Sequence, residues 1–112
     1  RRKRQPQAIG IEAVEINPPP IPKTPPGPEV FIQLKRGVDQ VKARQNAAGR
    51  ETLKQVLQQA PDNAIAWLWS GMAATRMKDW RAAEQCFLQA KRLGHPKADD
   101  ALKWLEEQRQ RG

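Results

Sequence analysis

The fold is decided by the stretch AIAWLWSGMAATRMKDWRAAEQCFLQAKRLGHP, which runs from Ala64 to Pro96. Asn63 is placed to cap a first helix, because its short side chain can accept a hydrogen bond from the free backbone N–H groups of the opening turn. Apolar residues cover most of the circumference of that helix. A helix of this kind has neighbours on more than one side, so we expect the flanking segments to pack around it.

A second helix is predicted after Asp79, which is a suitable cap. Its apolar side chains recur at helical spacing and form one stripe. The stripe consists of Trp80, Ala83, Phe87 and Ala90. Gly94 is expected to end the helix, since glycine adopts the left-handed conformation at the C′ position without steric cost. The stretch therefore predicts two antiparallel helices that cannot bury their apolar faces alone.

These residues resemble the tetratricopeptide repeat, a 34-residue helix–turn–helix unit with the pattern W-x2-L-G-x2-Y, then A-x3-F, then P. The matching positions are Trp67, Gly71, Ala83, Phe87 and Ala90. Three positions depart from the pattern: Ser70 replaces leucine, Ala74 replaces tyrosine, and Pro96 falls one position late. These departures do not prevent the two helices from packing as in the repeat, because small residues still let the two backbones approach and bulky residues fill the gaps beside them.

The pattern recurs one period earlier, starting at Val30. The equivalent pairs are Gly37 with Gly71, Gly49 with Ala83, Leu53 with Phe87, and Val56 with Ala90. Pro61 closes this first unit, and Gln33 stands where the second unit has Trp67. The sequence therefore predicts repeat one at 30–63 and repeat two at 64–97.

Repeat one is expected to begin its first helix at Pro28, where a missing N–H does no harm. The apolar stripe predicted for this helix is Phe31, Leu34, Val38 and Val41. The following turn is placed at 44–46 from the 34-residue period alone, because no helix-breaking residue marks it. The alternative is one long helix that continues through Gly49. The second helix, Arg50 to Ala60, is expected to turn Leu53, Val56 and Leu57 inward.

A last helix is predicted at 97–111, with one apolar side and a strongly polar remainder. Its apolar side consists of Ala98, Ala101, Leu102 and Leu105. Repeat arrays need an end helix with one solvated face, and this helix fits that role. The predicted fold class is all-α: five helices arranged as antiparallel helix hairpins in a short α-solenoid, forming a domain at 29–112.

Residues 1–28 read as a basic, proline-rich arm that opens with Arg1, Arg2, Lys3 and Arg4. Proline removes a backbone donor and restricts the residue before it, so an extended linker is expected. Four roles stay open for this arm. It is a spacer, a basic segment beside a membrane helix or an anionic membrane surface, a strap in which 9–16 docks on the domain, or a proline-rich ligand for an aromatic-lined groove of another protein. The expected localisation is cytoplasmic, with the cytoplasmic part of a membrane-anchored protein as the alternative.

The tetratricopeptide resemblance implies that the first helix of each repeat lines a concave face that binds a protein or peptide segment. By register, that face carries Phe31, Leu34, Val38, Val41, Ile65, Leu68, Met72, Thr75 and Arg76. One subfamily grips a C-terminal carboxylate, but at the corresponding positions here only Lys103 is basic. An apolar or extended segment is therefore the expected ligand, and a scaffold for protein binding is the expected function.

Two other functions compete with this prediction. Self-association into a homo-oligomer is one, because short arrays often pair through exposed repeat ends. Nucleic-acid binding is the other, given the net charge of +8. The charges are interspersed as on an ordinary helical surface, and the four tryptophans stand at apolar helical positions, which disfavours a nucleic-acid site.

Little in the sequence favours catalysis. The single histidine, His95, lies at a helix junction, and the single cysteine, Cys86, lies between inward positions of its helix, where cysteine usually acts as a small apolar residue. No glycine-rich phosphate loop and no metal-ligand spacing occurs. We therefore expect a non-enzyme that needs no cofactor and no metal.

Overall fold

A computed structural model describes residues 27–112, so the predicted arm lies outside the described residues except for Gly27 and Pro28. Residues 27–112 form five α-helices and no strand, which confirms the all-α prediction. The helices are α1 Pro28–Lys42, α2 Asn46–Gln59, α3 Ala64–Arg76, α4 Trp80–Arg92 and α5 Ala98–Arg111. Short turns connect them.

The first two helices form an antiparallel hairpin. Near one end of the pair, the side-chain amide of Gln59 donates to Oε1 of Gln33 over 3.1 Å. Near the other end, Thr52 Oγ1 donates to Oε1 of Gln40 over 2.6 Å. Residue numbers rise along α1 as they fall along α2, as two helices joined by a short turn require. Helices α3 and α4 form the second hairpin, and α5 packs against both.

Helix α3 is the central element, because it contacts all four of the other described helices. It separates two apolar cores and contributes to each. The first core consists of Val30, Val41, Leu53, Val56, Ala60, Ala66 and Ala73. The second consists of Leu68, Ala74, Ala83, Phe87, Ala90, Ala98 and Leu105. The expectation that this helix is packed on several sides is confirmed.

Close approach of the helices in each hairpin depends on a glycine. A Cβ atom at Gly71 would lie 2.5 Å from Cε1 of Phe87, well inside van der Waals contact. One period earlier, a Cβ atom at Gly37 would lie 2.7 Å from Cδ2 of Leu53. The same contact between a glycine and a bulky side chain therefore recurs in both hairpins. The 34-residue period of the sequence therefore corresponds to a repeated packing contact between two helices.

Three helices end in the same left-handed turn. The residues at its C′ position are Arg44, Lys78 and Gly94, with φ of 68°, 63° and 89°. In each turn the N–H of the next residue bonds to a carbonyl five residues earlier, as in a Schellman motif: Gln45 to Gln40, Asp79 to Ala74 and His95 to Ala90. The turn at Arg44 separates α1 from α2, so the alternative of one long helix is wrong.

The helix starts agree with the sequence in most places. Pro28 is the first residue of α1, and the backbone N–H groups of Ala66 and Ala82 donate to the side chains of the caps Asn63 and Asp79. Helix α5 begins at Ala98, one residue later than predicted, and α2 begins at Asn46, four residues before the predicted Arg50.

The inward stripe of α1 differs from the prediction. Phe31 is 58% exposed, whereas the neighbouring Val30 is only 1% exposed and belongs to the first core. The buried residues of α1 are Val30, Gly37 and Val41, which follow one another at i, i+7 and i+11. Gly37 must face α2 for the helices to approach, and this requirement turns Val30 inward and Phe31 outward.

We predict that Gly71→Ala lowers the free energy of unfolding by about 1–2 kcal/mol, because overpacking against the buried Phe87 ring outweighs the gain in helix propensity. Gly37→Ala should cost less, since the nearest atoms to its Cβ, Cδ2 and Cγ of Leu53, would lie at 2.7 and 2.8 Å, whereas Gly71→Ala meets Phe87 atoms at 2.5 and 2.6 Å. Chemical denaturation of the full chain measures both changes. An unchanged stability of Gly71→Ala would contradict the close approach of α3 and α4.

We predict opposite effects from two substitutions at the left-handed positions. Lys78→Gly should stabilise the protein by about 0.5–1 kcal/mol, because glycine avoids the steric cost of the left-handed backbone. Gly94→Ala should destabilise it by about 1 kcal/mol for the same reason. A Cβ atom at Gly94 would meet nothing within 4 Å. The change in stability there therefore measures only the steric cost of the left-handed backbone conformation. Thermal unfolding measures the change in melting temperature for each variant. A change in the same direction for both variants would contradict this account.

Candidate partner-binding face

Helices α1 and α3 each carry a stripe of side chains at i, i+4, i+7 and i+11, which places the four members on one side of the helix. On α1 the stripe is Phe31, Lys35, Val38 and Lys42, and on α3 it is Ile65, Trp69, Met72 and Arg76. Each member of one stripe corresponds to a member of the other, one repeat period away. We call the surface formed by these eight residues and Leu34 the α1–α3 face. Leu34 lies between Phe31 and Lys35 on α1.

Two contacts hold the stripes beside each other. The Nζ atom of Lys42 lies 5.6 Å from the centroid of the Trp69 ring, a distance at which the ring attracts a cation. The guanidinium of Arg76 donates from Nη1 to the backbone carbonyl of Val41 over 2.6 Å. Both contacts join α1 to α3 towards the C-terminal end of α1. The two stripes therefore form one continuous surface.

Apolar side chains are open to solvent at the opposite end of this surface. Phe31 is 58% exposed and Ile65 is 45% exposed, and they occupy equivalent positions at the N-terminal ends of their helices. Farther along, Leu34, Val38, Trp69 and Met72 are half-buried. Exposed apolar residues on one surface of adjacent helices are typical of protein interaction sites.

Three residues of the predicted concave face are not on the surface. Val41 is 0% exposed in the first core, and Leu68 is 8% exposed in the second. Thr75 is 3% exposed, and its hydroxyl donates to the carbonyl of Gly71 over 2.8 Å. Assigning them to a concave face is therefore wrong, because neighbouring helices cover them. The other six residues of the predicted face are at least partly exposed.

The predicted face also omits Lys35, Lys42 and Trp69. The signal that could have found them is the period itself, since Lys42 is the equivalent of Arg76 and Lys35 the equivalent of Trp69. The predicted face included Arg76 but did not carry its position back one period to Lys42, and it omitted the equivalent pair Lys35 and Trp69 altogether.

The C-terminal end of the α1–α3 face is basic. Arg76 is the only charged residue of α3, Lys42 lies in the last turn of α1, and Arg44 follows in the turn. Partial burial, and secondarily the nearby Arg44 guanidinium, lower the pKa of Arg76. Cations are favoured beside the carbonyls at a helix C-terminus, which accounts for part of this clustering.

The side of α1 that points away from α3 borders a shallow depression. It is lined by Ile32, Arg36, Asp39 and Gln40 of α1, by Lys35 at the border with the α1–α3 face, and by Gln45 of the following turn. On α3 the equivalents of Ile32, Arg36 and Asp39 are Ala66, Ser70 and Ala73, all buried. Another repeat packed on α1 in the same way would bury two charged side chains, which opposes extension of the array at this end.

The remaining residues of interest have structural roles. The indole N–H of Trp67 donates to the carbonyl of Pro61 over 2.8 Å, and Trp80 and Trp104 pack against the second core. Nδ1 of His95 accepts a hydrogen bond from the backbone N–H of Lys97 over 3.0 Å, which orders the approach to α5. Asp99 forms an ion pair with Lys91 over 3.0 Å.

Residues 27–112 contain no group of three or more His, Cys, Asp or Glu side chains that could hold a metal ion. None of the five helices has the length and apolar character needed to cross a membrane. Comparison with known proteins gives no family model, no curated protein and no solved structure that matches the chain.

Proposed function

We propose that the domain is a non-catalytic, tetratricopeptide-like interaction module that binds a peptide or protein segment on the α1–α3 face. The observation that carries the proposal is the pair Phe31 and Ile65. They are large apolar side chains, about half exposed, at equivalent positions on adjacent helices. In this proposal the module acts as a scaffold in the cytoplasm, and the basic arm keeps the roles predicted from sequence.

The face suits a ligand because its framework is already rigid. Both stripes lie on helices fixed by the two cores, so little order has to be gained when a partner binds. The apolar contribution is limited, however. Covering the exposed halves of Phe31 and Ile65 contributes about 1.5–3 kcal/mol in total, since full burial of one such side chain is worth about 1.5–3 kcal/mol. Polar contacts must add to this for a micromolar complex.

The competing functions have less support. Self-association by stacking on α1 would bury Arg36 and Asp39, both exposed in the monomer. Nucleic-acid binding through stacked bases needs several open aromatic faces. Among residues 27–112, Phe31 is the one strongly exposed aromatic side chain, and the tryptophans are packed against the two cores.

The first test is a selection of peptides that bind the full chain, followed by affinity measurements on three variants. Phe31→Ala and Ile65→Ala should each weaken binding about fivefold, which corresponds to about 1 kcal/mol. Leu88→Ala is the matched control, because Leu88 is also 45% exposed but lies on α4. The affinity of Leu88→Ala for the selected peptides should stay within about twofold of that of the unsubstituted chain.

Two results would contradict the proposal. One is a selection that yields no peptide with measurable affinity for the folded chain. The other is a peptide whose affinity depends on Leu88 and is unchanged by Phe31→Ala and Ile65→Ala.

A further inference from the structure

The α1–α3 face changes character along its length. Its exposed apolar residues, Phe31 and Ile65, lie in the first turns of α1 and α3. Its basic residues lie in the last turns of the same helices, at Lys42 and Arg76, with Arg44 in the adjoining turn. The face is therefore apolar at one end and positively charged at the other.

The basic end has unused hydrogen-bond donors. An arginine side chain carries five N–H donors. In Arg76, Nη1 donates to the carbonyl of Val41, and no other side chain or carbonyl of residues 27–112 accepts a hydrogen bond from its guanidinium. Lys42 lies over the face of Trp69, and no acceptor within residues 27–112 takes a hydrogen bond from its ammonium group.

Within residues 27–112, the positive charge at this end is not balanced by an ion pair. No carboxylate of residues 27–112 forms an ion pair with Lys42, Arg44 or Arg76; the nearest acidic residue in sequence to Arg76, Asp79, pairs with Arg50 over 3.3 Å. Arg44 lies close enough to Arg76 to lower its pKa, so the two cations repel each other. An anionic group placed between them would relieve this repulsion.

We propose that the partner is an acidic segment, whose apolar residues cover Phe31 and Ile65 and whose carboxylates bind Lys42, Arg44 and Arg76. This inference rests on the proposed function and adds the chemistry of the ligand. Arginine suits the role because its planar donors match a carboxylate in a two-point contact. The basic residues differ from those of the carboxylate-gripping subfamily, whose positions here are mostly not basic.

The geometry also sets the spacing of the ligand. Ile65 and Arg76 are eleven residues apart on one helix, a separation of about 16 Å at 1.5 Å per residue. An extended chain advances about 3.3 Å per residue, so about five residues separate the apolar and acidic groups of the ligand. A polypeptide fits this pattern better than a nucleic acid, because Ile65 offers no flat surface on which a base can stack.

The test uses two synthetic peptides that differ only in charge. Each peptide has a Leu-Phe pair, then a spacer of five small polar residues, then a tail of three identical residues. The tail consists of Glu in one peptide and of Gln in the other. Isothermal titration of the full chain should show the Glu peptide binding at least about tenfold more tightly, an advantage that falls as NaCl is raised. Lys42→Gln and Arg76→Gln should each remove most of the advantage.

Controls separate charge from folding. Lys54→Gln, an exposed residue of α2, should leave the preference for the Glu peptide intact. Arg76→Gln also loses the contact with Val41, so circular dichroism should check its fold, and Lys42→Gln provides the same test at a more exposed residue. Arg76→Lys should retain part of the preference, since it keeps the charge and loses the planar donor arrangement.

Three outcomes overturn the inference. Equal affinities for the two peptides, with Phe31→Ala weakening both, would refute the acidic preference and leave the proposed function standing. Failure of both peptides to bind would count against the inference and the proposed function together. A single-stranded oligonucleotide that binds more tightly than the Glu peptide, and depends on Lys42, would assign the basic end to nucleic acid instead.

Discussion

The structure depends on the contact between a glycine and a bulky side chain inside each hairpin. Phe87 fills the space that a side chain at Gly71 would need, and Leu53 does the same at Gly37. Each contact fixes how closely the helices of its hairpin approach and which of their sides face each other. Because both hairpins use the same contact, α1 and α3 present equivalent stripes to the same side of the molecule. The proposed binding face is a consequence of that equivalence.

Much of the fold follows from local pattern, and its failures have identifiable causes. Asn63, Asp79 and Gly94 carry strong signals for helix starts and ends, and the structure uses all three. The turn at Arg44 carries none, because a charged residue takes a position that usually belongs to glycine. The sequence around Phe31 is ambiguous for another reason. Three consecutive apolar residues allow several inward stripes, and only contact with α2 decides among them.

The candidate site was predictable in outline and not in detail. Register places Phe31, Ile65 and Arg76 on one side of their helices, and the structure keeps them exposed at least in part. The burial of Leu68 and Thr75 could not be read from spacing, since it depends on how closely α4 and α5 approach α3. The basic end of the face is a tertiary feature as well, because it combines the ends of two helices and a turn.

Amide hydrogen exchange on the full chain tests most directly the claim that α3 organises the molecule. An amide buried in a helix that packs on several sides exchanges only when the whole domain unfolds, whereas outer helices can open locally. The account predicts that Ala73 and Ala74 have the highest exchange free energies, equal to that of global unfolding, and that the amides of α1 and α5 exchange faster. Exchange of the α3 amides at the rate seen in α1 would contradict it.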